Sequence, residues 1–274
     1  MKKIIIVVSC LMFLIISLII IITNSKENEK KSIFSDIKIY EKENEERYKN
    51  FSLKHKNMSK EKIVLYVNMG LDNSFYTDIK TIKYVKFNTL VNKYYKLNEQ
   101  YYLKEPYLLS KEYTYKDVYV SKKIVKDLEK MINDMKKENL EITVVSGYRT
   151  KEYQENLYNR YKEKDGKKKA DTYSARPRHS EHELGLSIDV SSKGGIMEQF
   201  AFSKEFLWMQ ENAYKYGFIL RYPEGKTHIT GFKYESWHYR YVGKKHAKKI
   251  KKENLTFDEY YELYLKRSLF SNEE

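Results

Sequence analysis

Apolar and polar residues are unevenly distributed along this 274-residue chain, and their pattern predicts several segments. Residues 4–23 are uncharged and almost entirely apolar, whereas residues 24–59 are rich in Lys, Glu, Asn and Ser. We interpret the second segment as a solvated stalk that is part helical. Patterned sequence begins at Lys62, where the apolar run IVLYVN (63–68) predicts a strand. The predicted organisation is an N-terminal membrane anchor over 1–23, a stalk over 24–59, a domain over 60–266 and a tail over 267–274.

A stripe of apolar residues at helical spacing predicts a long helix after Ser121, which is suited to be its N-cap. The stripe consists of Ile124, Val125, Leu128, Met131, Ile132 and Met135. Residues 142–145 (ITVV) then predict a short buried strand that leads into the turn SGYRT (146–150). Thr150 of that turn can cap a further helix over 151–163.

The second half of the domain mixes strands and helices without strict alternation. Residues 164–181 are polar and predict a loop, and a helix is expected from Ser203 to Tyr216, ended by Gly217. Three strands are predicted, at 186–190 (LSIDV), 218–222 (FILRY) and 237–242 (WHYRYV). Two short helices close the chain, the last with a capping box from Thr256 to Glu259. This order predicts an α+β fold, a small mixed or antiparallel sheet with flanking helices, preceded by one transmembrane helix.

The N-terminal run predicts an uncleaved membrane anchor. Its 20 residues would rise about 30 Å as a helix, enough to cross the apolar core of a bilayer. A cleavable signal peptide would have a shorter apolar region and a small-residue cleavage site. A lipoprotein at Cys10 and a buried core helix are weaker alternatives, because the run continues past Cys10 and has no polar face. Lys2 and Lys3 favour an inside N-terminus, which would make the domain extracytoplasmic.

Charge and cysteine content narrow the possible partners. The chain has 52 basic and 38 acidic residues, a formal net charge of +14, and Cys10 is its only cysteine. A disulfide framework and a cysteine zinc finger are therefore excluded. Without Lys2 and Lys3 the remaining 50 basic residues leave a net charge of +12. In an extracytoplasmic domain this charge argues against nucleic acid and favours an anionic cell-wall polymer or lipid headgroups.

Several residues have the chemistry of a catalytic metal site. Two histidines and one carboxylate, here His182, His238 and Asp189, form a usual zinc ligand set that leaves the fourth position open. Glu235 precedes His238 by three residues and could take a proton from water. Arg149 follows a predicted strand, where its guanidinium could face a carboxylate or a developing oxyanion. The spacing alone is equally compatible with histidines that are ordinary surface or core residues.

Longer motifs in the same region resemble the VanY-type D-alanyl-D-alanine carboxypeptidases, zinc peptidases of the bacterial envelope. SEHELGLSID (180–189) resembles the family's SxHxxGxxxD signature. SGYRT (146–150) with Gln154 is similar to its arginine motif, and residues 211–243 are similar to its C-terminal block. The resemblance extends over roughly residues 60–265, with the motifs in the expected order.

The resemblance implies a role for each matching residue. His182, Asp189 and His238 would bind one Zn²⁺ per chain, Glu235 would be the general base, and Arg149 would stabilise the oxyanion or hold the substrate. Gln154 and Ser180 match positions that contact the substrate's C-terminal residue. The implied protein is a membrane-anchored D,D-carboxypeptidase that removes the terminal D-Ala from peptidoglycan stem pentapeptides. Such an activity would contribute to glycopeptide resistance.

Other functions are compatible with the same fold, and the sequence differs from the family's motifs at two places. The same fold could serve an L,D-carboxypeptidase, a D,D-dipeptidase or a non-catalytic cell-wall-binding module. The family often has Pro before its last Trp, where this chain has Ser236, and Gly where this chain has Arg178-His179. We expect Arg178 to affect the mouth of the pocket. Glu183 would lie on the wrong side of an extended segment to reach the metal.

Overall fold

The protein is described by a computed structural model over residues 31–267. The predicted membrane anchor and residues 268–274 lie outside this range. Between residues 31 and 267 no helix is long and apolar enough to cross a membrane. The chain divides into two compact units, one ending at Val64 and the other beginning at Leu65.

The first unit contains the described part of the predicted stalk. A 3₁₀ turn, Lys42–Asn44, leads into helix α1, Glu45–Lys54. The rings of Phe34 and Tyr48, both almost fully buried, have their centroids 5.5 Å apart. The backbone amide of Glu41 donates to the Tyr48 hydroxyl at 3.1 Å. These residues are therefore folded around a small aromatic cluster.

Helix α2, Lys60–Asn68, contains the boundary between the two units, and the strand predicted at 63–68 is wrong. Ile63, Val64, Leu65, Tyr66 and Val67 are all buried. A short apolar run that is buried on every side has no period that distinguishes a strand from a helix. Ser59 accepts a hydrogen bond from the Lys62 amide and stabilises the helical start.

The second unit is a mixed α+β domain with small sheets, as the sequence predicted. Its strands are β1 (Lys80–Ile82), β2 (Tyr95–Leu97), β3 (Pro106–Leu108), β4 (Tyr119–Ser121), β5 (Ile142–Ser146), β6 (Ser187–Ser192), β7 (Phe218–Leu220) and β8 (His238–Tyr241). Its helices are α3 (Lys122–Lys137), α4 (Lys151–Asp165), α5 (Lys167–Ala170), α6 (Lys204–Asn212), α7 (Thr227–Thr230), α8 (Lys244–Glu253) and α9 (Phe257–Tyr260). Helix α5 interrupts the loop predicted at 164–181.

The central sheet is antiparallel, with the strand order β5-β6-β8-β7. Strands β1 and β2 form a small parallel pair, and β3 and β4 an antiparallel one. Side chains alternate between the two faces of a strand. Ile188 and Val190 of β6 accordingly belong to the apolar core, while Asp189 between them points to the opposite face.

The core lies on one face of the central sheet and is closed by α3. The predicted stripe of this helix is buried at Ile124, Leu128, Met131, Ile132 and Met135, which share one cluster with the inward residues of β5, β6 and β8. Packing this face leaves the other face of β6 and β8 free to carry polar groups.

The predicted helix caps are confirmed by hydrogen bonds. The side chain of Ser121 accepts from the Lys123 amide at the start of α3, and Thr150 accepts from the Tyr153 amide at the start of α4. Ser203 caps α6, and Thr256 and Glu259 form the predicted capping box of α9. These caps depend only on residues a few positions apart, which is why sequence alone could place them.

Candidate metal centre

Sheet register brings two of the predicted ligands side by side. Asp189 of β6 is the direct cross-strand partner of His238 on β8, and it also faces Ser146 of β5. Directly opposed residues in an antiparallel pair have neighbouring side chains on the same face. The register therefore places an imidazole and a carboxylate together on the face that the core does not use.

The third predicted ligand, His182, is held by a 3₁₀ turn, Glu181–Leu184, that leads into β6. Ser180 caps the turn by accepting a hydrogen bond from the His182 amide. Gly185 ends it with φ +65°, and an added Cβ there would lie 2.9 Å from the Ser121 amide nitrogen. The glycine of the sequence motif is thus needed for a left-handed backbone and a close approach to the start of α3.

The three predicted ligands form one buried cluster. Oδ2 of Asp189 lies 3.3 Å from Nε2 of His182, and Oδ1 lies 3.1 Å from Nδ1 of His238. The ligand atoms all lie within 4.8 Å of one another. In the part of the chain that the structure describes, Oδ1 of Asp189 is buried and has no hydrogen-bond donor. A buried carboxylate whose two oxygens each face an imidazole nitrogen fits a cation, and the donor set suits Zn²⁺.

Hydrogen bonding distinguishes the two nitrogens of His182. Its Nδ1 lies 2.6 Å from the carbonyl oxygen of Gly147, so this nitrogen carries the proton and donates to the carbonyl. Nε2 is then the free ligand atom, and it is the atom that faces Asp189. Burial and the nearby Arg149 lower the pKa of His182, which favours the neutral form that binds metals.

Glu235 lies beside this cluster, on the connection between β7 and β8. Its Oε2 is 3.6 Å from Nδ1 of His238. Burial raises the pKa of the Glu235 carboxyl to about 7, with the nearby His238 acting in the opposite direction. A carboxyl group in such an environment can both accept and donate a proton near neutral pH.

Arg149 reaches the cluster from the turn between β5 and α4. Its Nη2 donates to Oδ2 of Asp189 at 2.8 Å and to the Ser146 hydroxyl at 2.9 Å. Its Nη1 lies 3.4 Å from the Gln154 amide oxygen, and the amide nitrogen of Gln154 donates to the Ala175 carbonyl at 2.8 Å. Gln154 therefore links the arginine to the loop that follows α5.

All seven predicted site residues line a single cavity of about 310 Å³. These are Arg149, Gln154, Ser180, His182, Asp189, Glu235 and His238. Trp237, Tyr222 and Phe232 add aromatic walls, and Met197 begins a 3₁₀ segment, Met197–Phe202, that the sequence did not predict. The volume is at the lower end of the range for small-molecule sites. A short peptide terminus matches this size.

Arg178 does not line this cavity, contrary to the expectation from its position in the motif. It has φ +70°, and its guanidinium donates to Oε2 of Glu183 at 3.1 Å and to the Tyr101 carbonyl at 3.0 Å. Glu183 is buried and also accepts from the Arg178 amide. The pair thus ties the ends of this short loop together, and neither residue lines the cavity.

Sequence analysis missed a buried group of charges behind His238. Glu181 is fully buried and pairs with Arg221 at 2.8 Å and with Arg240 at 2.9 Å. Arg221 also donates to Asp258 at 2.6 Å. The available signal was the occurrence of Arg within the apolar runs FILRY and WHYRYV, since a charge in a buried strand needs a partner.

Known carboxypeptidases are similar to this chain in sequence. A family model described as VanY, D-alanyl-D-alanine carboxypeptidase, matches residues 117–244. A putative carboxypeptidase, YodJ, from Bacillus subtilis (strain 168) is 43% identical over 147 residues, which are 53% of this chain and 54% of that protein. The chain thus spans about half the length of this curated relative.

Two solved structures are similar over nearly their whole length. The LD-carboxypeptidase LdcB has a TM-score of 0.63 and 37% identity, covering 68% of this chain and 91% of that one. The vancomycin-resistance D,D-pentapeptidase VanY from a VanB-type cassette, solved with Zn(II), has a TM-score of 0.56 and 34% identity, covering 64% and 99%. With the family model matching the segment that builds the cavity, the chain belongs to the VanY family of D-alanyl-D-alanine carboxypeptidases.

Proposed function

We propose that the protein is a zinc-dependent D,D-carboxypeptidase that removes the terminal D-Ala from peptidoglycan stem pentapeptides. The observation that carries this proposal is the buried cluster of His182, Asp189 and His238, with the Glu235 carboxylate 3.6 Å from one ligand. Three protein ligands are the number that catalytic zinc sites use, with the fourth position left for water or substrate. The family membership and the zinc-bound relative support the same chemistry.

Each residue of the cavity has a different role in the proposed hydrolysis. The two histidines and Asp189 would hold Zn²⁺, which when bound would supply the Lewis acidity that makes hydroxide available at neutral pH. Glu235 takes the proton of the attacking water and later delivers it to the leaving amine of the terminal D-residue. Arg149 lines the cavity beside Asp189 and stabilises the negative charge that develops on the scissile carbonyl. The products are free D-Ala and a tetrapeptide stem.

No serine acyl-enzyme is part of this mechanism. The hydroxyl of Ser180, the serine of the cavity's signature motif, is used to cap the His182 turn. β-Lactams act by acylating a serine nucleophile, so we expect them to leave the activity unchanged. Trimming pentapeptides would also remove the D-Ala-D-Ala terminus that glycopeptides bind.

An L,D-carboxypeptidase acting on tetrapeptide stems is the second candidate. The observation in its favour is the TM-score of 0.63 to the LD-carboxypeptidase LdcB, higher than the 0.56 to the D,D-pentapeptidase. Both activities would use the same ligands and base. They differ in the stereochemistry of the residue before the scissile bond, which the walls of the cavity must select.

We further propose that the enzyme works outside the cytoplasm, held to the membrane by residues 4–23. The uncharged run and the preceding Lys2 and Lys3 support this location. The net charge of +12 on the rest of the chain suits an anionic cell-wall polymer as a further partner. Protease added to intact spheroplasts should digest the domain, and protection from the protease would contradict this orientation.

One experiment tests the reaction and its metal together. The full-length protein in detergent is incubated with stem pentapeptide and stem tetrapeptide, before and after chelation and after zinc is restored. We expect D-Ala release from the pentapeptide that is lost on chelation and returns with zinc. Release that survives complete metal removal would exclude the zinc mechanism, and cleavage of the tetrapeptide alone would establish the L,D-activity instead.

A further inference from the structure

Behind the metal cluster, the second nitrogen of His238 faces a buried carboxylate. Nδ1 of this imidazole faces Asp189 and Glu235, so it is the atom available to a metal. Nε2 is on the far side of the ring, buried, and lies 3.8 Å from Oε2 of Glu181. Among the described residues no acceptor within hydrogen-bond distance is placed for it. A modest tilt of the imidazole toward Glu181 would close this gap.

The Glu181 carboxylate is itself held firmly in place. Its Oε1 accepts a hydrogen bond from Nε of Arg221 at 2.8 Å and lies 2.9 Å from Nη1 of Arg240. Its Oε2 accepts from the Ser187 hydroxyl at 3.4 Å. The side chains of Glu181, Arg221 and Arg240 are at most 1% exposed. The carboxylate therefore has one oxygen occupied by cations and the other directed toward His238.

The charges of this cluster are balanced, but balance alone does not explain their presence. Arg221 is shared between Glu181 and Asp258, and Asp258 also accepts from the Asn92 amide at 2.8 Å. Burying such a network costs desolvation free energy, and apolar side chains of similar volume often stabilise a fold at least as well. The cluster is explained if Glu181 must be held in a fixed orientation as the hydrogen-bond acceptor for His238.

We propose that Glu181 is a positioning residue that accepts the Nε2–H of His238 and so holds the imidazole with Nδ1 toward the metal. Ligating histidines in general donate their other N–H to a carboxylate or a carbonyl, which fixes the tautomer. The Gly147 carbonyl serves His182 in this way, and Glu181 serves His238. The inference rests on the proposed zinc site and adds a residue beyond the ligands, the base and the arginine.

The substitution Glu181→Gln tests the proposal with little change in shape. The two arginines require an oxygen, so the glutamine amide oxygen should remain with them and its NH₂ group should face Nε2 of His238. A donor in that position favours the opposite tautomer, with the proton on Nδ1, where it competes with the metal. We therefore expect zinc affinity, measured by competition with a chelating dye, to fall by about 10- to 100-fold.

Asp258→Asn is the matched control, because it disturbs Arg221 from the other end and leaves Glu181 in place. It should lower the thermal midpoint of unfolding while zinc affinity stays within about threefold of wild type, since no partner of a ligand is lost. Equal zinc affinity in wild type and a folded Glu181→Gln variant would refute the positioning role. A wild-type protein that binds no zinc would instead refute the proposed function.

A measurement on the wild type covers the case in which Glu181→Gln fails to fold. ¹⁵N chemical shifts of the histidine rings in the zinc-loaded protein report which nitrogen carries the proton, and the His238 signals are assigned by their loss in His238→Asn. We expect Nε2 of His238 to be protonated and Nδ1 to bind the metal. Protonation at Nδ1, or ligation through Nε2, would overturn the proposal without any variant of Glu181.

Discussion

Nη2 of Arg149 donates a hydrogen bond to Oδ2 of Asp189 at 2.8 Å, so the arginine of the cavity and the metal cluster share one carboxylate. Asp189 is almost completely buried, which raises the pKa of its carboxyl, but the neighbouring His182 and His238, with a smaller contribution from Arg149, hold that pKa well below the ordinary value. The guanidinium thus contacts a predicted ligand and also lines the cavity. Through this contact, the proposed stabilisation of the reacting carbonyl by Arg149 would be coupled to metal binding at Asp189.

Replacing Arg149 with lysine should separate these two effects. A lysine retains a positive charge near Asp189 but loses the planar set of donors, so we expect kcat to fall by about 10²- to 10³-fold. Zinc affinity should change far less than kcat. Steady-state kinetics and zinc titration on the same preparation measure both. Arg160→Lys, on the exposed surface of α4, is the control and should match wild type.

Glu235→Gln should remove the proposed general base without removing a predicted ligand. The amide cannot take a proton, so we expect a loss of about 10²- to 10⁴-fold in kcat with zinc still bound. The zinc content of the purified variant distinguishes loss of the base from loss of the metal. Glu224→Gln, exposed on the same connection between β7 and β8, should have no effect. Activity close to wild type in Glu235→Gln would place the base elsewhere.

Gly185→Ala should destabilise the protein more than Gly194→Ala, although both glycines have similar positive φ values. The two substitutions share a backbone cost of about 1–2 kcal/mol for a left-handed residue. At Gly185 the added Cβ would also meet Leu103 at 2.7 Å and the Ser121 amide nitrogen at 2.9 Å, whereas nothing lies within 4 Å at Gly194. The additional cost of overpacking is about 1–3 kcal/mol.

Chemical denaturation of both glycine variants measures this difference in the free energy of unfolding. Gly185 ends the turn that holds His182, and its amide donates to the His182 carbonyl. A shift of this turn that relieves the contact with the added Cβ would displace His182, so zinc affinity should fall in Gly185→Ala as well. Equal stabilities for the two variants would show that the loop can shift away from α3 without cost.

His179 should make the fold sensitive to mild acid. Its Nδ1 lies 2.7 Å from the Asn92 carbonyl, and burial lowers the pKa of the imidazole from 6.5 to about 4. The unfolded chain therefore binds a proton below pH 6.5 that the folded chain does not bind until about pH 4. Stability is complete above pH 6.5 and is lost as the pH falls toward 4, by about 3 kcal/mol for this group.

The pH effect is isolated by comparing wild type with His179→Gln. Between pH 7 and pH 4.5 the free energy of unfolding of the variant should decrease less steeply than that of wild type, with zinc removed from both. Parallel pH profiles would show that His179 is not the group responsible. Because His179 is outside the cavity, the variant should keep its activity at pH 7.

Local signals in the sequence were sufficient for much of the fold. The helical stripe of α3 and the caps at Ser121, Thr150, Ser203 and Thr256 depend on residues within a few positions of one another. Hydrogen bonds at such short range form in the same way in almost any context. The motif around His182 and Asp189 identified the candidate ligands for a related reason, since a short turn and a strand hold them at one spacing.

Long-range contacts decided the remainder. The run at 63–68 forms part of helix α2 although its residues favour strands, because burial on all sides overrides that propensity. Such burial leaves no alternation of apolar and polar residues from which the sequence could predict it. The register of β6 against β8 brings Asp189 opposite His238, across 49 positions of sequence. The same folding places Glu181 behind His238, and Arg178 pairs with Glu183 instead of lining the cavity. The motif residues alone identify the chemistry. Which nitrogen of His238 faces the metal, and that the Glu181 carboxylate lies behind it, depend on the pairing of β6 with β8.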